Sequence, residues 1–257
     1  MQSQMGEVSH SADGHIMEIF HAIQGEGIYV GVQQIFLRLY RCNLRCAWCD
    51  TPESFHLTGK GEREDPPGSR IFHTFENPIS IERTIEFLTP FFSLPHHSIS
   101  LTGGEPLVQS PFLQKLLPIL KEKKEVIFLE TGGTLPDPLK PLLPFLDIIS
   151  MDIKLPSSAE EKPLWDKHEE FLKLAAERNA YVKIVLTKDT AEEEILQALS
   201  LVKKVSRTIP VILQPVTPIY TLLPPTETQL LTWHYKALKL LQDVRVIPQT
   251  HKLIGQH

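Results

Sequence analysis

The sequence predicts an α/β fold, a partial (βα)6 barrel that resembles a TIM barrel with shortened crossovers. Three observations predict it: apolar runs of strand length, helical patterns between several of these runs, and polar or glycine-rich residues where the runs end. The 257 residues suffice for one large α/β domain, or two small ones, with a substantial core. We expect a single domain over residues 16–257, preceded by a flexible polar tail over residues 1–15.

The predicted strands are rich in β-branched and apolar residues. Their continuous apolar character suits strands that are buried on both faces of a parallel sheet, rather than half-exposed hairpins. The runs are residues 34–40, 98–104, 125–133, 147–154, 180–187 and 210–216.

The predicted helices follow most of these runs. Pro111 suits the first turn of its helix, whereas Pro118 predicts a kink or an early end. The segment 135–146 is too rich in proline for a long regular helix, which predicts a shortened crossover there. The last pattern has enough apolar surface for the core or for an interface, and we favour the core. The helical patterns cover residues 80–92, 111–123, 169–179, 191–204 and 226–242.

Composition excludes several classes of protein. A net charge of −5 gives no general electrostatic reason to bind nucleic acid or an anionic membrane. No apolar run approaches the ~18 residues that would span a bilayer, and the first 15 residues are too polar for a signal peptide. We therefore expect a cytoplasmic protein, where reducing conditions keep thiols free to bind metal or to act in redox chemistry.

All three cysteines lie in the segment "RCNLRCAWCDT", as Cys42, Cys46 and Cys49 in a C-x3-C-x2-C spacing. Such spacing lets one loop surround a single inorganic centre. Structural zinc requires four ligands, and His56 could complete a Cys3His site. A cubane cluster has four irons that each take a ligand, so three cysteines leave one iron free for a ligand from outside the protein. We favour the cluster.

Polar residues gather where the predicted strands end, and ligands in such sheets bind at the carboxyl ends of the strands. Each glycine pair alone would most simply be a turn. A turn is a poor explanation for five strand ends beside a three-cysteine loop. The strand ends carry Thr102 to Pro106, Glu130 to Thr134, Ser150 with Asp152 and Lys154, and Gln214.

The cysteine spacing, with Trp48 just before the third cysteine, resembles the radical S-adenosylmethionine (SAM) superfamily, and "LTGGEP" resembles its GGEP motif. The resemblance implies a radical SAM fold and a 4Fe-4S cluster whose free iron binds SAM. One electron then cleaves SAM to methionine and a 5′-deoxyadenosyl radical. Asp152 and Lys154 lie on one face of a strand and could instead simply pair with each other. The cofactor-binding residues implied are Trp48, Cys49, Asp50, Gly103, Gly104, Glu105, Ser150, Lys154 and Gln214.

Two features upstream of the cysteines narrow the resemblance. The "QGEG" turn at residues 24–27 would by itself be a loop with solvated polar residues. Arg38 interrupts an apolar strand, and a buried arginine is rare without an anionic partner. That partner could be an internal carboxylate such as Glu26, or the carboxylate of a ligand.

Together with "ETGGT", "QPVTP" and "RVIPQTHKLIG", these features closely resemble the 7-carboxy-7-deazaguanine synthases from about Ile16 to Gly255. The resemblance implies a lyase that converts 6-carboxy-5,6,7,8-tetrahydropterin to 7-carboxy-7-deazaguanine, a precursor of queuosine and other 7-deazapurines, with loss of ammonia. It also implies Mg2+ at Thr51, a homodimer, and an electron donor such as flavodoxin or ferredoxin. Residues 56–78 depart from the shortest relatives and indicate a surface insertion. The substrate-binding residues implied are Ile23, Gln24, Gly25, Glu26, Arg38, Thr102 and His251, the last on a chain end that folds back over the substrate in this family.

Two alternatives remain open at the level of sequence. An activating protein for glycyl-radical enzymes shares the cysteine loop and GGEP, but offers no reason for QGEG or Thr51. A non-catalytic zinc or iron–sulfur module explains the three thiols but not the polar strand ends.

Overall fold

The computed structural model describes residues 13–256, so most of the expected tail lies outside the described residues. Gly14 exchanges two backbone hydrogen bonds with Ile79, and the carbonyl of His15 accepts one from Gln109 at 2.9 Å. The folded part therefore already includes Gly14, two residues before the expected boundary.

The described residues form one ten-stranded, mostly parallel sheet in the order β10-β9-β8-β7-β6-β5-β2-β1-β3-β4. The six predicted strands are β2 and β5 to β9, which lie side by side, in chain order and parallel. This arrangement confirms the predicted α/β class and is consistent with a partial barrel. The strands are β1 (Ile16–Ile23), β2 (Gln33–Leu39), β3 (Lys60–Glu64), β4 (Phe72–Glu76), β5 (Ser98–Gly103), β6 (Ile127–Thr131), β7 (Ile148–Asp152), β8 (Asn179–Leu186), β9 (Val211–Pro215) and β10 (Val244–Val246).

The two faces of the sheet differ because side chains alternate along each strand. In β8, Val182 and Ile184 belong to the main core, whereas Tyr181 and Lys183 point to the other face. Each fully buried aliphatic side chain of the core contributes about 2 kcal/mol to the free energy of folding. The prediction of strands that are apolar on both faces is therefore wrong for the carboxyl-terminal half of the second face, which is polar.

A small apolar cluster forms the floor of that second face. Phe128, Ile148, Tyr181 and Ile212 each lie within the first three residues of four neighbouring strands, β6 to β9. Tyr29 packs on them, with its ring edge-on to Phe128 at a centroid distance of 5.6 Å. The polar residues further along the same strands consequently lie above a closed floor.

The helices lie on the side of the main core, and most match the predicted patterns. Helix α2 continues through Pro118, so the expected early end is wrong. Pro118 lies beside solvent-exposed Gln114, while Leu116 and Leu117 hold the helix to the core, which tolerates the lost hydrogen bond. The helices are α1 (Ile81–Leu88), α2 (Ser110–Glu122), α3 (Pro136–Leu139), α4 (Pro156–Ala159), α5 (Trp165–Ala175), α6 (Glu192–Val205), α7 (Glu227–Leu238) and α8 (Thr250–Leu253), with 3-10 turns at Gly27–Tyr29, Pro52–Phe55, Thr89–Ser93, Pro106–Gln109 and Leu143–Phe145.

The proline-rich segment 135–146 contains only α3 and a 3-10 turn, as its composition predicts. Helix α7 buries Trp233 and Ala237 but leaves Leu231 and Tyr235 exposed. The expected role in the core therefore holds for one face of α7 only.

Residues 56–78 are more than a surface excursion, because they contain the hairpin of β3 and β4. β3 pairs in parallel with β1 and extends the sheet at that edge. The buried carboxylate of Glu64 accepts hydrogen bonds from the His21 amide at 2.9 Å and the Arg70 amide at 2.7 Å. These bonds attach an otherwise exposed and highly charged hairpin to the domain.

Candidate active site at the carboxyl ends of the strands

A cavity of about 490 Å³ opens at the carboxyl ends of the parallel strands. Every residue predicted for the cluster, the cofactor or the substrate lines it, whereas His56 does not. The geometry thus brings the predicted residues together; the role of each is a separate question.

The cysteine loop forms one wall of the cavity. Cys42, Cys46 and Cys49 are half-buried free thiols. Zinc with Zn–S bonds of about 2.3 Å would hold tetrahedral sulfurs about 3.8 Å apart. Among residues 13–256, Glu26, Asp50 and His251 form the one group of three His, Cys, Asp or Glu side chains whose ligand atoms all lie within 4.8 Å of one another. At least two of the three sulfurs are therefore more than 4.8 Å apart. This spacing favours a larger centre than one zinc ion.

Burial also disfavours the thiolates, and raises the pKa of Cys46 to about 11. The neighbouring Lys154 ammonium opposes that shift without reversing it. A cationic centre between the thiols would lower their pKa values, because a metal-bound thiol loses its proton.

The glycine pair after β5 holds that strand against the cysteine loop. Gly103 has φ +126°, and a β-carbon at Gly104 would lie 2.1 Å from the Arg41 carbonyl oxygen. The Glu105 amide donates to the same oxygen at 2.8 Å. Both glycines are therefore needed for packing against the loop, whatever ligand they also approach.

Glu105 joins the ends of β5 and β6. Its buried carboxylate accepts hydrogen bonds from the Gly132 amide at 2.7 Å, the Thr131 hydroxyl at 2.9 Å and the Leu107 amide at 3.1 Å. Burial raises its pKa. Hydrogen bonds within the protein thus use most of the hydrogen-bonding capacity of the Glu105 carboxylate, and little of it remains for a cofactor.

The end of β7 carries a lysine between an acid and an aromatic ring. Lys154 Nζ lies 2.8 Å from Asp152 Oδ2, so the expected pairing is present, and 4.2 Å from the centroid of the Trp48 ring. Ser150 Oγ and Gln214 Oε1 are buried beside it without a hydrogen-bond partner among the described residues. Buried polar atoms of this kind are usually satisfied by water or a ligand.

The "QGEG" turn lines the same cavity, and the alternative of a loop with solvated polar residues does not hold for it. Gln24 is only 3% exposed. Its amide nitrogen donates to Glu130 Oε1 at 2.7 Å and to Gln34 Oε1 at 2.9 Å, and its oxygen accepts from the Glu26 amide at 3.0 Å. Glu26 forms an ion pair with Lys183. Although burial opposes ionisation, the Lys183 charge lowers the pKa of Glu26 to about 2.

Arg38 does not pair with Glu26, as one alternative had it, but with Glu18. These residues face each other across β1 and β2, with Arg38 Nε 2.7 Å from Glu18 Oε2. Arg38 Nη1 also lies 3.3 Å from Thr51 Oγ1, which donates to Asp50 Oδ1 at 3.1 Å. A guanidinium has five N–H donors, so Arg38 retains capacity for a ligand.

The chain end folds back onto the "QGEG" turn, as the resemblance implies. The Thr250 amide donates to the Gly25 carbonyl at 2.8 Å. A β-carbon at Gly25 would lie 2.3 Å from His251 Nδ1. Gln249 donates to Glu26 Oε1 at 2.7 Å and accepts from the Thr217 hydroxyl at 2.6 Å.

Comparison with known proteins identifies the family. The profile of the radical SAM superfamily matches residues 37–208. The 7-carboxy-7-deazaguanine synthase of Geobacter sulfurreducens is 40% identical over 242 residues, which cover 93% of this chain and 96% of that protein. This chain belongs to the 7-carboxy-7-deazaguanine synthase family of the radical SAM superfamily.

Further 7-carboxy-7-deazaguanine synthases agree. The enzyme of Methanothermobacter thermautotrophicus is 34% identical over 260 residues, covering 93% of this chain and 96% of that protein. Two solved structures show the fold. QueE from Escherichia coli has a TM-score of 0.56 and 18% identity, over 93% of this chain and 95% of that chain. A radical SAM methyltransferase from Sphaerobacter thermophilus has a TM-score of 0.58 and 14% identity, over 84% of this chain and 66% of that chain.

Membership of the 7-carboxy-7-deazaguanine synthase family implies a 4Fe-4S cluster and SAM. The residues of the cavity fit both groups. Three thiols are available for three irons, and the unpartnered Ser150 hydroxyl and Gln214 oxygen line the same cavity as the cysteine loop. No helix among the described residues is long and apolar enough to cross a membrane.

Sequence reasoning did not select four residues that the 7-carboxy-7-deazaguanine synthase cavity contains. Glu130 accepts from Gln24 and, at 2.8 Å, from the Thr102 hydroxyl, and burial raises its pKa. Its place in "ETGGT" at a strand end was a usable signal, as was Lys183, a lone charge in an apolar strand. Glu18 and Gln249 carry no such signal, because only the fold shows what they face.

Proposed function

We infer that this protein is a 7-carboxy-7-deazaguanine synthase, which converts 6-carboxy-5,6,7,8-tetrahydropterin to 7-carboxy-7-deazaguanine with loss of ammonia. One observation carries the inference beyond the family name: the cysteine loop and the "QGEG" turn line the same cavity. A small substrate between them would touch a cofactor bound at the cysteines.

The part of the cavity that the "QGEG" turn lines suits a pterin. The guanidine-like edge of a pterin offers several N–H donors. The carboxylates of Glu26 and Glu130 and the side-chain amide oxygen of Gln24 offer acceptors. Ile23 and Gly25 flank these groups. Hydrogen bonds to an ionised carboxylate are about twice as strong as neutral ones, so Glu26 would contribute most to binding.

The carboxylate of the substrate would lie toward Arg38. This guanidinium lines the cavity 3.3 Å from Thr51 Oγ1, and Thr102 lies on the neighbouring strand opposite Arg38. A bidentate contact from arginine would orient the substrate carboxylate as well as bind it. His251 would cover the same ligand from the chain end.

At the cysteine loop, the bound cluster and SAM would supply the radical chemistry. Cys42, Cys46 and Cys49 would hold the cluster. Of the residues predicted from sequence to hold SAM, Glu105 is largely occupied by hydrogen bonds within the protein. The others are Trp48, Cys49, Asp50, Gly103, Gly104, Ser150, Lys154 and Gln214. Below the polar residues of these strands, Tyr29 and the apolar floor of Phe128, Ile148, Tyr181 and Ile212 would keep water out, as a reactive radical requires.

Mg2+ forms part of the proposal, with Thr51 as the ligand from the protein. A hydroxyl and carboxylate oxygens are suitable hard ligands, and Asp50 lies within 3.1 Å of the Thr51 hydroxyl. Mg2+ usually retains water and binds substrate oxygens, so a site with few protein ligands is typical. The proposal also includes a homodimer in the cytoplasm and a flavodoxin or ferredoxin as electron donor, on the basis of the family resemblance.

The experiment is anaerobic reconstitution of the cluster, followed by incubation with SAM, a reductant, Mg2+ and the carboxytetrahydropterin. Mass spectrometry should find 7-carboxy-7-deazaguanine, and an ammonia assay should find one equivalent of ammonia per product. Reconstituted enzyme that cleaves SAM but leaves the pterin unchanged would refute the proposed substrate.

A further inference from the structure

Lys183 is a buried ammonium on the cavity side of β8, and nothing in the proposed function yet uses it. Lys183 is only 6% exposed. The neighbours Val182 and Ile184 face the main core, so Lys183 is the charged exception in an apolar strand. Burial of a lysine is costly unless the charge is paired.

The ammonium is shared by carboxylates from different elements. It forms an ion pair with Glu26, which follows β1, and lies 3.4 Å from Asp152 Oδ1 on β7. Its charge also lowers the pKa of Glu130 on β6, where burial has the opposite and larger effect. Asp152 is paired in addition with Lys154. Among the described residues, Lys183 is thus the cation that balances Glu26.

The ion pair leaves Glu26 in one orientation. Lys183 donates to Oε2, and Gln249 from the chain end donates to Oε1 at 2.7 Å. A carboxylate has about four lone-pair sites, so each oxygen can still accept one further hydrogen bond. The charge of Glu26 also raises the pKa of Glu130, and the Lys183 ammonium opposes that effect.

We propose that Lys183 is a positioning residue for the substrate, which holds the Glu26 carboxylate in the orientation that accepts the N–H donors of the pterin edge. This inference rests on the proposed function for the identity of the ligand. The pair between Lys183 and Glu26 also reaches the chain end through Gln249, so Lys183 further stabilises the closed position of α8 against the "QGEG" turn.

Stability alone does not explain a lysine here. A buried ion pair is often no more stabilising than apolar side chains of similar volume, whereas removal of one partner leaves an uncompensated charge. Apolar side chains at positions 26 and 183 together would fill a similar volume without the cost of burying two charges. The benefit of the charge is therefore expected at the ligand.

The first test follows amide hydrogen exchange in the cluster-loaded, SAM-free protein, and needs no turnover. Lys183→Met should speed the exchange of the Thr250 amide and of residues 24–26 by roughly tenfold or more, because Glu26 and Gln249 lose their anchor. Lys183→Arg should restore most of the protection. Lys188→Met, the same change at an exposed position just after β8, is the matched control and should change nothing.

The second test is steady-state kinetics with the carboxytetrahydropterin. Lys183→Met should raise KM by roughly 10- to 100-fold, the effect of one charged hydrogen bond, with a smaller change in kcat. In a Glu26→Gln background, the same substitution should change KM by less than about twofold, because Lys183 acts through Glu26. If Lys183→Met does not fold, Glu26→Gln breaks the same pair from the other side and takes its place in the exchange test.

Unchanged exchange in Lys183→Met, or an equal rise in KM with and without Glu26, would overturn the positioning role. A lower melting temperature of Lys183→Met with unchanged KM would also overturn the positioning role, and would show that Lys183 acts only in stability. If the wild-type protein makes no product, the proposed function fails, while the exchange experiment still decides whether Lys183 holds Glu26.

Discussion

Gly25 lies against His251 so closely that a β-carbon at position 25 would fall 2.3 Å from the ring nitrogen and 2.5 Å from the backbone nitrogen of His251. The neighbouring Thr250 amide donates to the Gly25 carbonyl at 2.8 Å. Glycine at this position therefore permits the chain end to close over the cavity.

We predict that Gly25→Ala displaces α8 and raises KM for the pterin by roughly tenfold or more, since small misplacements near a substrate are costly. The cluster should assemble normally, because the atoms nearest to a β-carbon at position 25 all belong to His251 and none to the cysteines. Steady-state kinetics and the iron content of the variant check both points. An unchanged KM would mean that the chain end does not act on the substrate.

The cysteines give the simplest prediction. Cys46→Ala should abolish both cluster assembly and turnover, because a cubane held by two thiols has two irons without a protein ligand. Iron and sulfide analysis after anaerobic reconstitution measures the first, and product formation the second. A variant that binds zinc and retains its fold, but not its cluster, would still agree with the account.

Thr51→Ala should separate the magnesium from the cluster. The half-saturating concentration of Mg2+ should rise roughly tenfold or more, with the iron content unchanged. Thr51→Ser, which retains the hydroxyl, is the control and should behave like the wild type. Loss of the cluster in Thr51→Ala would contradict the role given to Thr51.

Arg38 and Glu18 allow the two explanations of the strand arginine to be separated. If Arg38 binds the substrate carboxylate, Arg38→Gln should raise KM by roughly 10- to 100-fold, whereas Glu18→Gln should change it little. If the arginine serves only the 2.7 Å ion pair with Glu18, both variants should lower the melting temperature equally and leave KM alone.

His168 predicts a pH dependence of stability. Its Nε2 accepts from the Lys154 amide at 3.2 Å, and its Nδ1 donates to the Gly133 carbonyl at 3.1 Å, which requires the neutral ring. Burial lowers its pKa to about 4 from an ordinary value of 6.5. The neutral ring stabilises the fold fully above pH 6.5, and this contribution is lost as the pH falls toward 4.

Between pH 8 and 5, the cluster-free wild type should lose roughly 2 kcal/mol more of its free energy of unfolding than His168→Gln. Urea titrations at the two pH values measure the difference. His73→Gln, a change of an exposed histidine, should lose as much as the wild type. Equal losses in all three proteins would show that His168 is not held neutral.

The sequence allowed the six central strands to be predicted because each is a continuous apolar run. It could not reveal β3, "KGERE", which has no apolar residue and is a strand only through its pairing with β1 and the buried Glu64. The same limit applies to Pro118, whose effect depends on the burial of the residues around it.

The cysteine loop and the strand ends were predictable because spacing and strand direction determine which groups meet. The ion-pair partners of the charged residues were not predictable in this way. Arg38 pairs with Glu18 because β1 and β2 place them opposite each other, and Lys183 meets Glu26 because the turn after β1 crosses above β8. Both contacts depend on the packing of segments that are distant in the sequence.

The most direct measurement of the central claim, one cavity that brings the substrate to SAM, uses carboxytetrahydropterin deuterated at C6. The family resemblance implies a reaction in which the radical removes hydrogen from C6 and the hydrogen returns with regeneration of SAM, so the account predicts that deuterium appears in the SAM recovered after turnover. Formation of the product without deuterium in the recovered SAM would contradict it.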